Sequence, residues 1–232
     1  MIKAIDFSTL KNSSPYKEFI MQDWLAIGSI SSFFGERGTN KSFLVQELMT
    51  AIATGSPWSS TSFSPAKVYG VFSEYDEIEL LSRQYKINES DKISDLHRMK
   101  MISLFGKENL LMTFNNNNVG TLTPLFNELL NDIKSFKPKL VVLDKALDLF
   151  GGDENNNSHV KQFIHRCCAY IAREVNCSVL LCKHGSIGEV WRDTIEFHIH
   201  AYLDEKGSCL EKKNNVHIEI LPQKTLFASN LY

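Results

Sequence analysis

"FFGERGTNKSFL", residues 33–44, is the stretch on which the fold turns. Gly35, Lys41 and Ser42 stand in the register of the pattern G-x-x-x-x-G-K-[ST], while Asn40 takes the place of the second glycine. A loop of this pattern turns its backbone N–H groups inward around phosphate oxygens, which requires small, flexible residues. Asparagine tolerates left-handed backbone angles better than most non-glycine residues, so closing the loop at Asn40 costs about 1 kcal/mol. The string alone can arise by chance ahead of a helix, so its surroundings carry the argument.

Those surroundings alternate between strand and helix. "SISSFF" (29–34) reads as a buried strand, and "KSFLVQELMTAIATG" (41–55) has apolar residues at helical spacing with Gly55 as its stop. "KVYGVFS" (67–73) is the next strand, followed by a helix over about 77–86. "HRMKMISLF" and "LLMTF" suggest two short strands, and "TLTPLFNELLNDIKSF" (121–136) a helix capped by Thr121 or Thr123. "KLVVLD" (139–144) and "CSVLLCKH" (177–184) are fully apolar strands on either side of a long helix over 158–175, with Ser158 as its expected cap. After His184, "TIEFHIHAYLDE" and "NVHIEILPQ" alternate like strands with one solvated face, joined by a turn at "KGSCLEKKN". The expectation is α/β: a mostly parallel sheet flanked by helices, with C-terminal antiparallel strands. One domain is expected over 1–232, with an N-terminal extension (1–23), a core (24–184) and the C-terminal strands (185–232).

The 232 residues suffice for one sizeable core. A net charge of −2 argues against a basic face, so any nucleic-acid contact has to be local. No apolar run approaches the roughly 18 residues that span a bilayer, and the polar, acidic start does not read as a signal peptide. Cys167, Cys168, Cys177, Cys182 and Cys209 show no C-x-x-C spacing, which suits reduced thiols in the cytoplasm. "NNNN" (115–118) and "NNN" (155–157) read as solvated loops.

Three strand tips add chemistry to the loop. Lys41 is placed to reach the β- and γ-phosphates, and the Ser42 hydroxyl to bind Mg²⁺. Asp144 ends a buried strand, where a loop of this kind places its metal-binding acid; a capping aspartate is the plainer alternative. Glu74 ends another strand and is the candidate to polarise an attacking water, whereas Asp76 and Glu77 suit a helix start. His184 ends a third strand, against the plain reading of a surface histidine. His198 and His200 share a strand face at a spacing that can chelate zinc, but they lack a third ligand and read as an exposed pair. Trp24 and Trp191 could stack on a base, though core packing is the stronger expectation, as it is for Cys167 and Cys168.

"WLAIGSISSFFGERGTNKSFLVQELMTAIATGSPW" and "LVVLDKALDLFGGDENNNSHVKQFIHRCCAYIAREVNCSVLLCKH" together resemble the RecA-like ATPases of the RepA type, the hexameric replicative helicases of plasmids and phages. The resemblance runs from about Trp24 to His184. It implies a RecA-like P-loop core with an ATP site between neighbouring subunits of a ring. Gly35, Glu36, Arg37, Gly38, Thr39, Asn40, Lys41, Ser42 and Phe43 would form its nucleotide loop. Ser42 and Asp144 would hold Mg²⁺, Glu74 would be the catalytic base and His184 the γ-phosphate sensor.

Three departures accompany the likeness. Asn40 is one, and Lys145, where the family often has proline, is the second. The third is the short "GSIGEVWRDTIEF" after His184, which carries only Arg192 as candidate arginine finger in trans; Lys224 is a weaker alternative. The resemblance implies a DNA-dependent replicative motor that contacts single-stranded DNA and a replication partner and has no membrane association. The short segment and acidic pI suit an alternative: a non-translocating, ATP-driven oligomeric regulator. A degenerate homologue is a third reading, favoured only by Asn40.

Overall fold

The apolar runs become the parallel strands of one sheet. The computed structural model of the protein describes residue 7 and residues 17–59, 61–93, 95–203 and 216–221. Cys209, Lys224, the predicted turn at 206–214 and most of the N-terminal extension lie outside the described residues.

A short antiparallel pair, β1 (Phe19–Met21) and β2 (Leu25–Ala26), precedes β3 (Ile30–Gly35) and α1 (Lys41–Thr54). Next come β4 (Val68–Phe72), α2 (Glu77–Asp91), β5 (Met99–Ser103), β6 (Met112–Phe114), β7 (Gly120–Leu122) and α3 (Pro124–Phe136). Then follow β8 (Leu140–Asp144), α4 (Ala146–Leu149), β9 (Phe150–Gly151) and α5 (Asn157–Gln162). A π-helical stretch, Phe163–Cys168, carries α5 into α6 (Ala169–Val175). The described chain closes with β10 (Ser178–His184), α7 (Glu189–Thr194), β11 (Phe197–Leu203) and β12 (Val216–Leu221).

The main sheet has seven strands in the order β12-β11-β3-β10-β8-β4-β5. All its pairings are parallel except β11 with β12. The antiparallel C-terminal pair is therefore present, but β11 itself joins the sheet parallel to β3. A small sheet, β7-β6-β9, lies beside the main one. Its β7 takes residues that the sequence pattern put at the start of a helix, and α3 begins only after its cap, Thr123, whose hydroxyl accepts from the Phe126 N–H. Pro124 follows in the first turn, where its missing N–H costs nothing.

Successive strand residues point to opposite faces. Tyr69, Val71, Val141, Leu143, Val179 and Leu181 pack under the helices that follow β7, together with Trp191. Val68, Phe72, Val142, Leu180 and Cys182 pack under α1 with Trp24 and Trp58. Both tryptophans weighed as base-stackers, Trp24 and Trp191, are core residues, and Cys167, Cys168, Cys177 and Cys182 are buried free thiols.

Two local expectations are corrected. The cap of α5 is Asn156, whose side chain accepts from the Ser158 and His159 N–H groups, so Ser158 is already inside the helix. His198 and His200 are not an exposed pair. His198 is buried, bonding Ser32 Oγ through Nδ1 at 2.7 Å and the Arg192 carbonyl through Nε2 at 3.1 Å, while the half-buried His200 ring stacks on Phe34. No cluster of three metal-ligating side chains exists among the described residues. Nor is any described helix long and apolar enough to cross a membrane.

Candidate nucleotide site

Because the central strands run parallel, their C-terminal ends collect along one edge of the sheet. Gly35 ends β3 opposite His184 of β10, and Asp144 of β8 pairs with Cys182 on one side and Phe72 on the other. Glu74 lies just past β4. The loop 36–40 springs from this edge and enters α1 at Lys41.

Gly35 cannot be replaced within this backbone. At φ 155°, a Cβ would come within 1.8 Å of the Ala201 carbonyl oxygen on β11. Gly38 has φ 87° with open space around it, and Asn40 completes the loop at φ 53°, ψ 34°. Asn40 therefore supplies the left-handed turn that a second glycine would supply. Its side chain is exposed and makes no capping bond. Glu36, Arg37 and Gly38 are exposed, Thr39 is buried and Phe43 is half-buried.

Lys41 is 2% exposed, and its ammonium donates to the Glu36 carbonyl and to Thr39 Oγ1. Burial lowers its pKa, against the opposing pull of the Asp144 carboxylate. Beside it, Ser42 Oγ and Asp144 Oδ2 are buried without a hydrogen-bond partner. Burial pushes the Asp144 carboxyl up to about 6. The Ser42 hydroxyl is near enough to oppose that rise, although no hydrogen bond of normal geometry joins the two. Two orphaned oxygens at the mouth of a phosphate loop are the hard donors that Mg²⁺ takes, so the residues fit that ion.

Glu74 is held from two sides. Its Oε2 lies 2.9 Å from His184 Nε2 and its Oε1 3.0 Å from Lys145 Nζ. Burial would raise its pKa, but the hydrogen bonds from His184 and Lys145 outweigh it and hold the carboxyl below the usual range. His184 Nδ1 is buried and unpartnered. Glu74, His184 and Lys145 line a cavity of about 210 Å³ with Arg37 and Gly38. Asp76 caps α2 by accepting from the Glu79 N–H, and Glu77 opens that helix.

The fold thus brings together the loop 35–43, Asp144, Glu74 and His184. It does not bring in Arg192, which sits exposed on α7; its guanidinium makes no hydrogen bond or ion pair among the described residues. Lys145 is the group that reading the sequence missed as a site residue. Its sequence signal was only that a cation follows the strand-terminal aspartate.

A family model described as "AAA domain" matches residues 1–188, from the start of the chain through the histidine-bearing strand. The chain belongs to this AAA-domain family. No curated protein matches it. Membership makes the protein a P-loop ATPase of the AAA type, with nucleotide binding implied. The AAA-domain match and the parallel sheet agree on a P-loop NTPase core.

Proposed function

We propose that this protein binds ATP with Mg²⁺ at the Lys41–Asp144 site, hydrolyses it, and works as a DNA-dependent, helicase-type motor in plasmid or phage replication. In this reading it is a single RecA-like domain that assembles with its own copies into a hexameric ring. The catalytic half rests on one observation: the buried, unpartnered Ser42 Oγ and Asp144 Oδ2 beside a phosphate loop that closes despite Asn40.

The loop amides and Lys41 hold the phosphates, Lys41 exchanging the Glu36 carbonyl and Thr39 hydroxyl for anionic oxygens. Bound Mg²⁺ supplies positive charge to the phosphoryl oxygens. Ser42 and Asp144 are the residues that would hold it. Glu74 orients and polarises the attacking water, and its lowered pKa keeps it ionised at neutral pH. His184 links Glu74 to the end of β10, so rearrangement at the site passes into residues 185–188 and α7. Arg192, exposed outside its own site, suits a role at a neighbour's.

The regulator reading is favoured by the same link. Residues 185–188 are all that separate β10 from α7, and Gly185 is pinned to Gly35 by a 2.7 Å backbone bond. That leaves little chain there to reach DNA. ATP hydrolysis with and without single-stranded DNA, in the native chain and in Lys41→Ala, separates the readings. Turnover that rises with DNA and is lost in the variant supports the motor. Lys41-dependent turnover indifferent to DNA supports the regulator. Absence of turnover in both overturns the hydrolytic reading.

A further inference from the structure

The cavity between the loop and Glu74 holds more positive charge than water activation requires. Lys145 reaches it from a fixed base: its backbone N–H donates to Ser73 Oγ at 3.0 Å, and Ser73 Oγ in turn donates to Asp148 Oδ2 at 2.9 Å. Only the side chain is free to swing, with 22% of its surface exposed. Its ammonium lies 3.0 Å from Glu74 Oε1 and 3.7 Å from Asp148 Oδ1. With Oε2 facing His184, both Glu74 oxygens are engaged. Each oxygen keeps a second lone pair, but an ammonium held against Oε1 draws on the charge with which the carboxylate would polarise a water.

Arg37 and Gly38 of the phosphate loop line the same cavity. At about 210 Å³ it has room for a phosphoryl group and water, a water molecule in the liquid taking about 30 Å³. A terminal phosphate entering it brings more negative charge than Glu74 offers. The Lys145–Glu74 pair is part-exposed, and pairs of that kind are weak enough to exchange partners.

We propose that Lys145 is a two-position cation that distinguishes triphosphate from diphosphate. Without nucleotide it restrains Glu74; with a nucleoside triphosphate bound it moves to the terminal phosphate and releases Glu74 Oε1 to hold water. The inference rests on the nucleotide-site reading and adds to it a ground-state restraint on hydrolysis and a determinant of ATP over ADP. Removing Glu74's charge should then free Lys145 for the phosphate before any nucleotide arrives.

The test is equilibrium binding of ATP and ADP, each with Mg²⁺, to the full chain and to Lys145→Met, Lys145→Arg, Glu74→Gln and the Glu74→Gln/Lys145→Met pair. Lys145→Met should weaken ATP about tenfold, the size of one charge-assisted hydrogen bond, and leave ADP unchanged. The unchanged ADP affinity also reports an intact fold. Lys145→Arg should restore most of the ATP preference. Glu74→Gln should tighten ATP several-fold, and that gain should vanish in the double variant. Equal effects of Lys145→Met on ATP and ADP, or a Glu74→Gln gain that survives without Lys145, overturn the proposal while leaving the nucleotide site in place. Failure of the native chain to bind either nucleotide overturns the site reading itself.

Discussion

Asn40 carries backbone angles of φ 53° and ψ 34° that cost a side-chain-bearing residue about 1 kcal/mol, and no hydrogen bond of its side chain offsets the cost. Asn40→Gly removes that cost but gives the unfolded chain more freedom, so stability should change by less than about 1 kcal/mol. ATP affinity should rise, because no side chain then stands at the loop mouth; a nucleotide titration beside a melting curve checks both. Asp144 shows the opposite economy. Its folded pKa of about 6 lies above the unfolded value, so folding binds a proton between those values and stability falls as pH rises through that window. The penalty is fully present above about pH 6 and absent below about pH 4, and amounts to roughly 3 kcal/mol. Asp144→Asn should therefore melt higher than the native chain at pH 7.5 without nucleotide or metal, and the difference should vanish near pH 4. The same variant should lose Mg²⁺-dependent nucleotide binding, the usual exchange of stability for function at a site.

At the scale of elements, parallel pairing converts strand ends into a site, and the loop after β9 is held by its own small network. Asp153 N–H donates to His159 Nδ1, which leaves Nε2 to donate to Asn118 Oδ1 at 2.9 Å. Phe114 stacks on the same imidazole at 4.0 Å between ring centroids. Asn156 caps α5 in the middle of this network. Asn156→Ala should cost about 1 kcal/mol in denaturant unfolding, as losing an N-cap does, whereas Ser158→Ala should cost much less. Equal effects would return the cap to Ser158. On the other flank, β11 presses Ala201 against Gly35 and ties Ser32 of β3 to the Arg192 carbonyl through His198. β3, the strand that leads into the phosphate loop, is thus linked to α7 through one buried histidine, whose pKa burial lowers.

For the molecule as a whole, the proposed ring makes a sharp prediction about Arg192. If its guanidinium serves a neighbour, Arg192→Ala and Lys41→Ala each lose turnover alone, yet mixed subunits regain part of it. Those junctions where one copy supplies Lys41 and the next supplies Arg192 are complete. Turnover of the mixture at the level of either variant would place the arginine elsewhere. Much of the fold was legible before the structure, since strand–helix alternation, Gly55 as a helix stop and the loop pattern are local facts, each settled within a few residues. The strand tips carrying Asp144, Glu74 and His184 were legible for the same reason: each ends an apolar run. Lys145 was not, because its partner Glu74 lies 71 residues away and nothing near either marks the pairing. His198 was misread as exposed because alternation reports which residues share a face, while burial depends on what packs there: here Ser32 and the end of α7. The parallel entry of β11 escaped the pattern too, since strand direction is set by the neighbour a strand docks against. Local spacing and periodicity therefore determined the elements, the phosphate loop and the acids at the strand ends. Contacts between residues distant in the chain, which follow from packing rather than from spacing, alone decided how Glu74 is held, what closes on Gly35 and where Arg192 stands.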